Sequence, residues 1–117
     1  MKGYDPSTGL GFIQNGRYLE ETLPYDRKGG EGVQVGASLF GICTVDGVSG
    51  DVINIDTEGV YGLVAATGGS TDATPGAIAY WDNTNKRITP VASTHLAVGV
   101  FTAAKTTSQA FAHVKIG

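Results

Sequence analysis

The stretch Asp51-Val52-Ile53-Asn54-Ile55-Asp56-Thr57 alternates in character at every step. Val52, Asn54 and Asp56 fall on one side of an extended chain; Ile53, Ile55 and Thr57 fall on the other. A period of two is a strand signature, and it recurs in short pieces separated by turn residues. Val33-Gln34-Val35 opens the series. Leu39-Phe40-Gly41-Ile42-Cys43-Thr44-Val45 follows and ends at Asp46-Gly47, a strong hairpin-type dipeptide. Glu58-Gly59 bends the chain into Val60-Tyr61-Gly62-Leu63-Val64, and residues 67–76, rich in Gly, Ser, Thr and Asp, read as a loop. Ala77-Ile78-Ala79-Tyr80-Trp81 then leads through the turn Asp82-Asn83-Thr84-Asn85 into Lys86-Arg87-Ile88-Thr89-Pro90-Val91. Leu96-Ala97-Val98-Gly99-Val100-Phe101 and Ala110-Phe111-Ala112-His113-Val114-Lys115-Ile116 close the chain. About seven short strands at this spacing predict an all-β fold, a small barrel or sandwich. Val64-Ala65-Ala66 and Ala103-Ala104-Lys105 could each form one helical turn, but neither has the length or period of a helix. The Gly-rich pieces do not align as an internal repeat.

Composition agrees with this reading. Eighteen glycines in 117 residues is about twice the usual share of roughly 7%, and suits many tight turns. One domain fits this length, with enough chain to bury a core without staples. The first 32 residues differ from the rest. Tyr4, Phe12, Tyr18 and Tyr25 are spread among glycines and charges with no sustained period, and Arg27-Lys28-Gly29-Gly30-Glu31-Gly32 reads as a flexible joint. Disordered tails are poor in aromatics. The segment 1–32 is therefore expected to be an extended N-terminal arm that orders on a partner through those four aromatics, ahead of a β-domain at 33–117.

Charge and chemistry exclude several functions. The net charge of −3 and eight scattered basic residues make no phosphate-binding stripe, so no nucleic-acid partner is expected. No apolar run approaches the roughly 18 residues of a membrane span, and Met1-Lys2-Gly3-Tyr4-Asp5-Pro6 lacks the apolar core of a signal peptide, so no membrane partner is expected. Cys43, the only cysteine, reads as a small buried hydrophobe, and no zinc site can be drawn around it. His95 and His113 read as surface or interface residues. Asp51, Asp56 and Glu58 could pose as a carboxylate pair or a calcium site, but a solvated strand face and strand-end turn account for them more simply. Gly68-Gly69-Ser70-Thr71 lacks the lysine and helix of a phosphate-binding loop, and neither Ser70 nor Ser93 sits in a nucleophile elbow. The expectation is a protein that is not an enzyme, with no cofactor and no metal.

An ordered set of motifs adds a family. Thr57-Glu58-Gly59-Val60-Tyr61 is followed by Pro75-Gly76-Ala77-Ile78-Ala79-Tyr80-Trp81-Asp82-Asn83-Thr84, by Lys86-Arg87-Ile88-Thr89, by Leu96-Ala97-Val98-Gly99-Val100-Phe101, and by the terminal His113-Val114-Lys115-Ile116. Each piece is weak alone, but in this order and spacing the chain resembles a tailed-bacteriophage family associated with capsid cement, or decoration, proteins, over roughly residues 33–117. In that motif Tyr80, Trp81, Asp82 and Ile88 form a structural hairpin: Tyr80 and Trp81 point to opposite faces, Asp82 and Asn83 cap backbone N–H groups of the turn, and Ile88 pairs with Trp81. The resemblance implies a protein made in the host bacterial cytoplasm that binds the exterior of a phage head. Its partners would be the major capsid protein, whose lattice it stabilises, and itself, as a symmetric homo-oligomer, a trimer ahead of a dimer. The competing expectation is a glycan- or surface-binding β-module of a virion, in which Tyr61, Tyr80 or Trp81 would stack on sugars.

Overall fold

A computed structural model describes residues 16–117. Among the described residues there is no helix, and nine strands form two antiparallel sheets. The strands are β1 (Tyr18–Thr22), β2 (Gly32–Val35), β3 (Leu39–Cys43), β4 (Val52–Asp56), β5 (Gly59–Val64), β6 (Ile78–Asp82), β7 (Arg87–Thr89), β8 (Leu96–Phe101) and β9 (Phe111–Ile116). The first sheet runs β1-β4-β3-β2 and the second β5-β9-β8-β6-β7. The second sheet curls: a parallel bridge joins Ala65, just past β5, to Ile88 in β7, and the Ala66 N–H donates to the Ile88 carbonyl at 2.8 Å. Its two ends thus approach each other as a half-barrel.

Burial follows the period of two. In β9, Ala112, Val114 and Ile116 are buried while Phe111, His113 and Lys115 are exposed. In β4, Ile53 and Ile55 are buried and Val52 and Asn54 exposed. The larger core lies inside the curl of the second sheet and gathers Leu63, Ala79, Trp81, Ile88, Phe101, Val114 and Ile116. Phe40 and Ile42 of β3 belong to that same core, so one face of the first sheet plugs the second. Leu23, Val33, Cys43, Ile53 and Ile55 form a smaller core on the other face. A shift of one residue in β9 along β8 would carry Val114 and Ile116 out to solvent, which is what holds the register.

The strands begin before Val33. β1 pairs with β4 over its whole length, from Tyr18 opposite Asp56 to Thr22 opposite Val52. Leu23 is 1% exposed. β3 pairs with β4 on one side, at Ile55 and Asp56, and on the other side an extended chain of matching length satisfies the outward N–H and C=O groups of β4. The stretch 27–32, which reads as a flexible joint in sequence, is a bridge followed by a tight turn: Arg27 and Gly47 exchange N–H···O=C bonds of 2.9 Å each way, and the Glu31 N–H donates to the Lys28 carbonyl at 3.0 Å.

A turn closed in this way follows each of four bridge residues, Arg27, Gly47, Ala73 and Lys105. Residues 28–31, 48–51, 74–77 and 106–109 each close with the fourth N–H donating to the first carbonyl, at 3.0, 3.0, 3.1 and 3.3 Å. In the first three the third residue is Gly30, Gly50 or Gly76 with φ between 90 and 95°, the left-handed position that a type II turn demands. In three of the four, the side chain of the fourth residue (Glu31, Asp51, Gln109) accepts from the N–H of the first, at 2.7 to 2.9 Å. The bridges pair the turns: Arg27 with Gly47, and Ala73 with Lys105. With β7 set aside, β1, β2, β3 and β4 stand in the first sheet as β5, β6, β8 and β9 stand in the second. The chain is therefore an internal repeat with the β7 hairpin added to its second half, a relation that sequence inspection did not find.

Candidate functional site

The hairpin at residues 78–89 anchors the second sheet. Trp81 lies opposite Ile88 and is 2% exposed, and Tyr80, on the other face, is half-buried opposite Thr89. Asp82 is buried, and its Oδ1 accepts the N–H groups of Thr84 and Asn85 at 3.1 Å each. Burial pushes the Asp82 carboxyl up, but hydrogen bonds from the Asn85 side chain and backbone outweigh it and hold the group below the usual carboxylate range. Asn83 does not cap the turn as the sequence suggests. Its Oδ1 accepts from Trp81 Nε1 at 3.1 Å and from the Tyr25 hydroxyl at 2.8 Å.

Tyr25 thereby ties the sheets together. Its hydroxyl also accepts the Gln34 N–H at 2.9 Å, and Lys86 Nζ sits 4.2 Å above its ring. Lys86 in turn donates to the Asn83 carbonyl. Beside this tie the rings of Phe40 and Trp81 pack at 5.0 Å, tilted by 52°. Gly32 is the floor beneath them: a Cβ there would lie 2.7 Å from Phe40 Cζ.

A second tie closes the other junction. Asp56, 3% exposed, accepts from Arg17 Nε and Nη2 at 3.1 and 3.2 Å, from the Glu58 N–H at 3.2 Å, and from the Tyr61 hydroxyl of β5. The Arg17 guanidinium holds the Asp56 carboxyl below its ordinary value, and burial together with Asp56 pushes the Tyr61 hydroxyl up. The acidic cluster read in the sequence is thus dispersed among structural tasks: Asp51 caps a turn, and Asp56 clamps two sheets.

The four N-terminal aromatics are placed unequally. Tyr4 and Phe12 lie outside the described residues. Tyr18 is 51% exposed, with the Arg17 guanidinium 5.0 Å from its ring centroid. Tyr25 is engaged between the sheets as described. The aromatics considered for stacking on sugars offer little free surface: Trp81 is buried, and Tyr61 points its hydroxyl at Asp56.

Two polar curiosities are structural. Burial pushes the Cys43 thiol up to about 11, away from nucleophilic use. Lys105, 3% exposed, donates from Nζ to the carbonyls of Thr71 and Thr106 at 3.0 and 2.9 Å, and burial lowers its basicity. Among the described residues no three His, Cys, Asp or Glu side chains gather as metal ligands.

The most unusual surface is the convex face of the second sheet. Antiparallel sheets with one face in water carry polar residues there. Here the outward positions of β5, β9, β8 and β6 line up as Val60, Lys115, Val100 and Ile78, with Val64 beside Phe111. Phe111 is 67% exposed, Val60 61%, Ile78 51% and Val64 46%. The sequence reading missed this face. Its signal was available in Val60-Tyr61-Gly62-Leu63-Val64, which is apolar in both phases of the alternation.

These features define a two-sheet β-module, tied internally at two points and, among the described residues, uncovered on one broad apolar face, a build suited to binding another protein surface. A family model described as phage cement protein matches residues 13–116. The chain belongs to that family, and its role is that of a capsid-associated structural protein. No curated protein and no solved structure matches the chain.

Proposed function

We propose that this protein binds the exterior of a tailed-phage head and stabilises the lattice of the major capsid protein, acting as a homo-oligomer without catalysis. The observation that carries the reading is the family match over residues 13–116. The build of the molecule supports it. A cement must hold two neighbouring surfaces in fixed relation, so its own sheets must not slide. The Tyr25–Asn83 and Asp56–Tyr61 ties resist such sliding.

In this reading the N-terminal aromatics make part of the capsid contact. Tyr4 and Phe12 are its anchors, Tyr18 stands at its border, and Tyr25 serves the body of the protein. Removing all of residues 1–32 would delete β1 and the buried Leu23, so a loss of binding by that truncation would report misfolding as well as a lost arm. Deleting residues 1–15 separates the two.

The test uses empty, expanded heads of the phage that encodes the protein, prepared without it. Added protein is expected to co-sediment with the heads in saturable fashion and to raise their thermal disruption temperature. The truncated chain is expected to melt as the full chain does and to bind the heads more weakly. Full-length protein that neither binds nor stabilises heads would overturn the capsid reading. A truncation that decorates heads like the full chain would overturn only the role of the arm.

A further inference from the structure

We infer that the free edge of β5 is a strand-addition site, and that it takes an extended apolar segment of the capsid protein alongside Val60, Gly62 and Val64. The inference rests on the capsid reading in the proposed function and names the surface that makes the contact.

The backbone of β5 is paired along one side. The Ala65 N–H donates to the Ala110 carbonyl at 2.8 Å, so by alternation Gly59, Tyr61 and Leu63 turn their N–H and C=O groups toward β9. Val60, Gly62 and Val64 turn theirs the other way. Ala66 faces that way too, and its N–H reaches the Ile88 carbonyl. Among the described residues, no hydrogen-bond partner meets the three positions ahead of it. The half-barrel is thus closed by β7 at Ala66 and open along residues 60–64.

The other sheet edges are covered, short or charged, the usual means by which a chain keeps further strands from adding. On the outer side of β2 the Tyr25 hydroxyl accepts the Gln34 N–H, and Arg27 donates to the Gly32 carbonyl. β7 has three residues and is met by Ala66. β1 carries Glu20 and Glu21. β5 has six residues, Gly-Val-Tyr-Gly-Leu-Val, with no charge and no proline, and its Val60 and Val64 side chains are 61 and 46% exposed. An open, uncharged edge of this length is a template for an added strand.

The space beside the edge selects the kind of occupant. A groove runs there between the two sheets, lined by Gly62 and Val64 on one side and by Gly29, Gly30 and Gly32 on the other, with Trp81 and Phe111. Glycines on the far side let a main chain approach closely. The β5 of a second copy arrives with β9 paired behind it, so it brings a sheet where the groove takes a single strand. No atom lies within 4 Å of a Cβ added at Gly62. A large apolar side chain set opposite Gly62 on the added strand therefore has room, between Val60 and Val64 on the same face. Phe111, opposite Val64, continues the apolar surface beside it. The capsid is the partner that family membership supplies. Main-chain hydrogen bonds hold such a segment in register, and the space over Gly62 sets its side-chain preference.

The experiment is hydrogen exchange read by mass spectrometry on the full-length protein, free and bound to empty expanded heads. The N–H groups of Val60, Gly62 and Val64 should exchange freely in the free protein and roughly 10-fold or more slowly on heads. Those of Tyr61 and Leu63, bonded to β9, should be protected in both states. A variant gives a second reading. Gly62→Pro removes an N–H that faces out from an edge strand, a place where proline is tolerated. It is expected to keep a cooperative melting transition and to bind heads roughly 10-fold or more weakly. Gly62→Ala keeps the N–H and should bind heads within about 3-fold of wild type.

Heads that bind the protein without slowing exchange at Val60, Gly62 and Val64 would overturn the inference and leave the capsid reading intact. Full-length protein that does not bind heads would overturn both. Protection of these groups already in the free protein would also refute the inference. Protection that grows with concentration assigns the edge to a second copy, and protection lost on deleting residues 1–15 assigns it to the chain's own N-terminal segment. Where Gly62→Pro melts early, the exchange pattern of the wild-type protein decides. A Gly62→Pro protein that folds and binds heads like Gly62→Ala rules out strand addition.

Discussion

Replacing Gly99 with alanine should be among the most damaging single-atom changes in this chain. Gly99 lies in β8 opposite Ile116, and a Cβ there would stand 1.9 Å from the Lys115 carbonyl oxygen and 2.9 Å from its carbon. Ordinary carbon–oxygen contacts lie near 3.3 Å or beyond. The obstacle is backbone in a central pair of strands, so no rotamer change relieves it. β8 and β9 must separate locally by more than about 1 Å, which carries hydrogen bonds of normal length out of bonding range. The pairs Gly99–Ile116, Val100–Lys115 and Phe101–Val114 share that stretch. Losing two or three of its bonds, each worth about 1 kcal/mol and more where a buried group is left unsatisfied, costs roughly 3–5 kcal/mol. That is a large part of the 5–15 kcal/mol that typically holds a domain together, and corresponds to a melting temperature lower by roughly 15 °C or more. The matched control is Gly62→Ala. Gly62 sits on the convex face of β5 with no atom within 4 Å of the added Cβ, and its change should stay within about 1 kcal/mol of wild type. Urea unfolding followed by the fluorescence of Trp81 measures both. A Gly99→Ala midpoint equal to that of Gly62→Ala would refute the close-approach argument.

Removing the Tyr25 hydroxyl with Tyr25→Phe strips Asn83 of a donor and leaves the Gln34 N–H without its acceptor, so a loss of about 1–3 kcal/mol in the same urea assay is expected. Asp56 and Asp82 are both held below the usual carboxylate range, Asp56 chiefly by Arg17. Their contribution is therefore complete above the ordinary carboxylate pKa near 4 and is lost as pH falls through the folded-state values. Midpoints measured from pH 7 down to pH 2 should drop steeply below about pH 4, and Asp56→Asn should be less stable at pH 7 with a shallower acid decline.

The strand pattern, the absence of helix in the described part and the family were legible in the sequence, because each rests on local information. A period of two, a turn glycine and an ordered run such as Tyr80-Trp81-Asp82 need only neighbours a few residues away. The buried partners of β4 and β9 are readable for the same reason: burial on one face writes itself into every second residue. The repeat left a weaker trace. Gly41-Ile42-Cys43-Thr44 and Gly99-Val100-Phe101-Thr102 share a frame, and Asp26, Gly30, Asp46, Gly50, Asp72 and Gly76 mark three of the four turns. These traces become visible once the bridges Arg27–Gly47 and Ala73–Lys105 show which turns correspond.

Tertiary structure alone decided what happened where the local signal was silent. Residues 18–22 have no strand-like alternation of apolar side chains, yet they form β1 because the edge of β4 offers unpaired backbone groups to a chain that passes beside it. Tyr25, read as an anchor for a partner, is held within the chain by Asn83, a residue 58 positions away. Asp56 looks like one of several strand-face acids until Arg17 and Tyr61 converge on it. The convex face also belongs here. Val60 and Phe111 would be core by composition, and whether an apolar strand face is buried depends on what is packed over it, which no residue of the strand itself encodes.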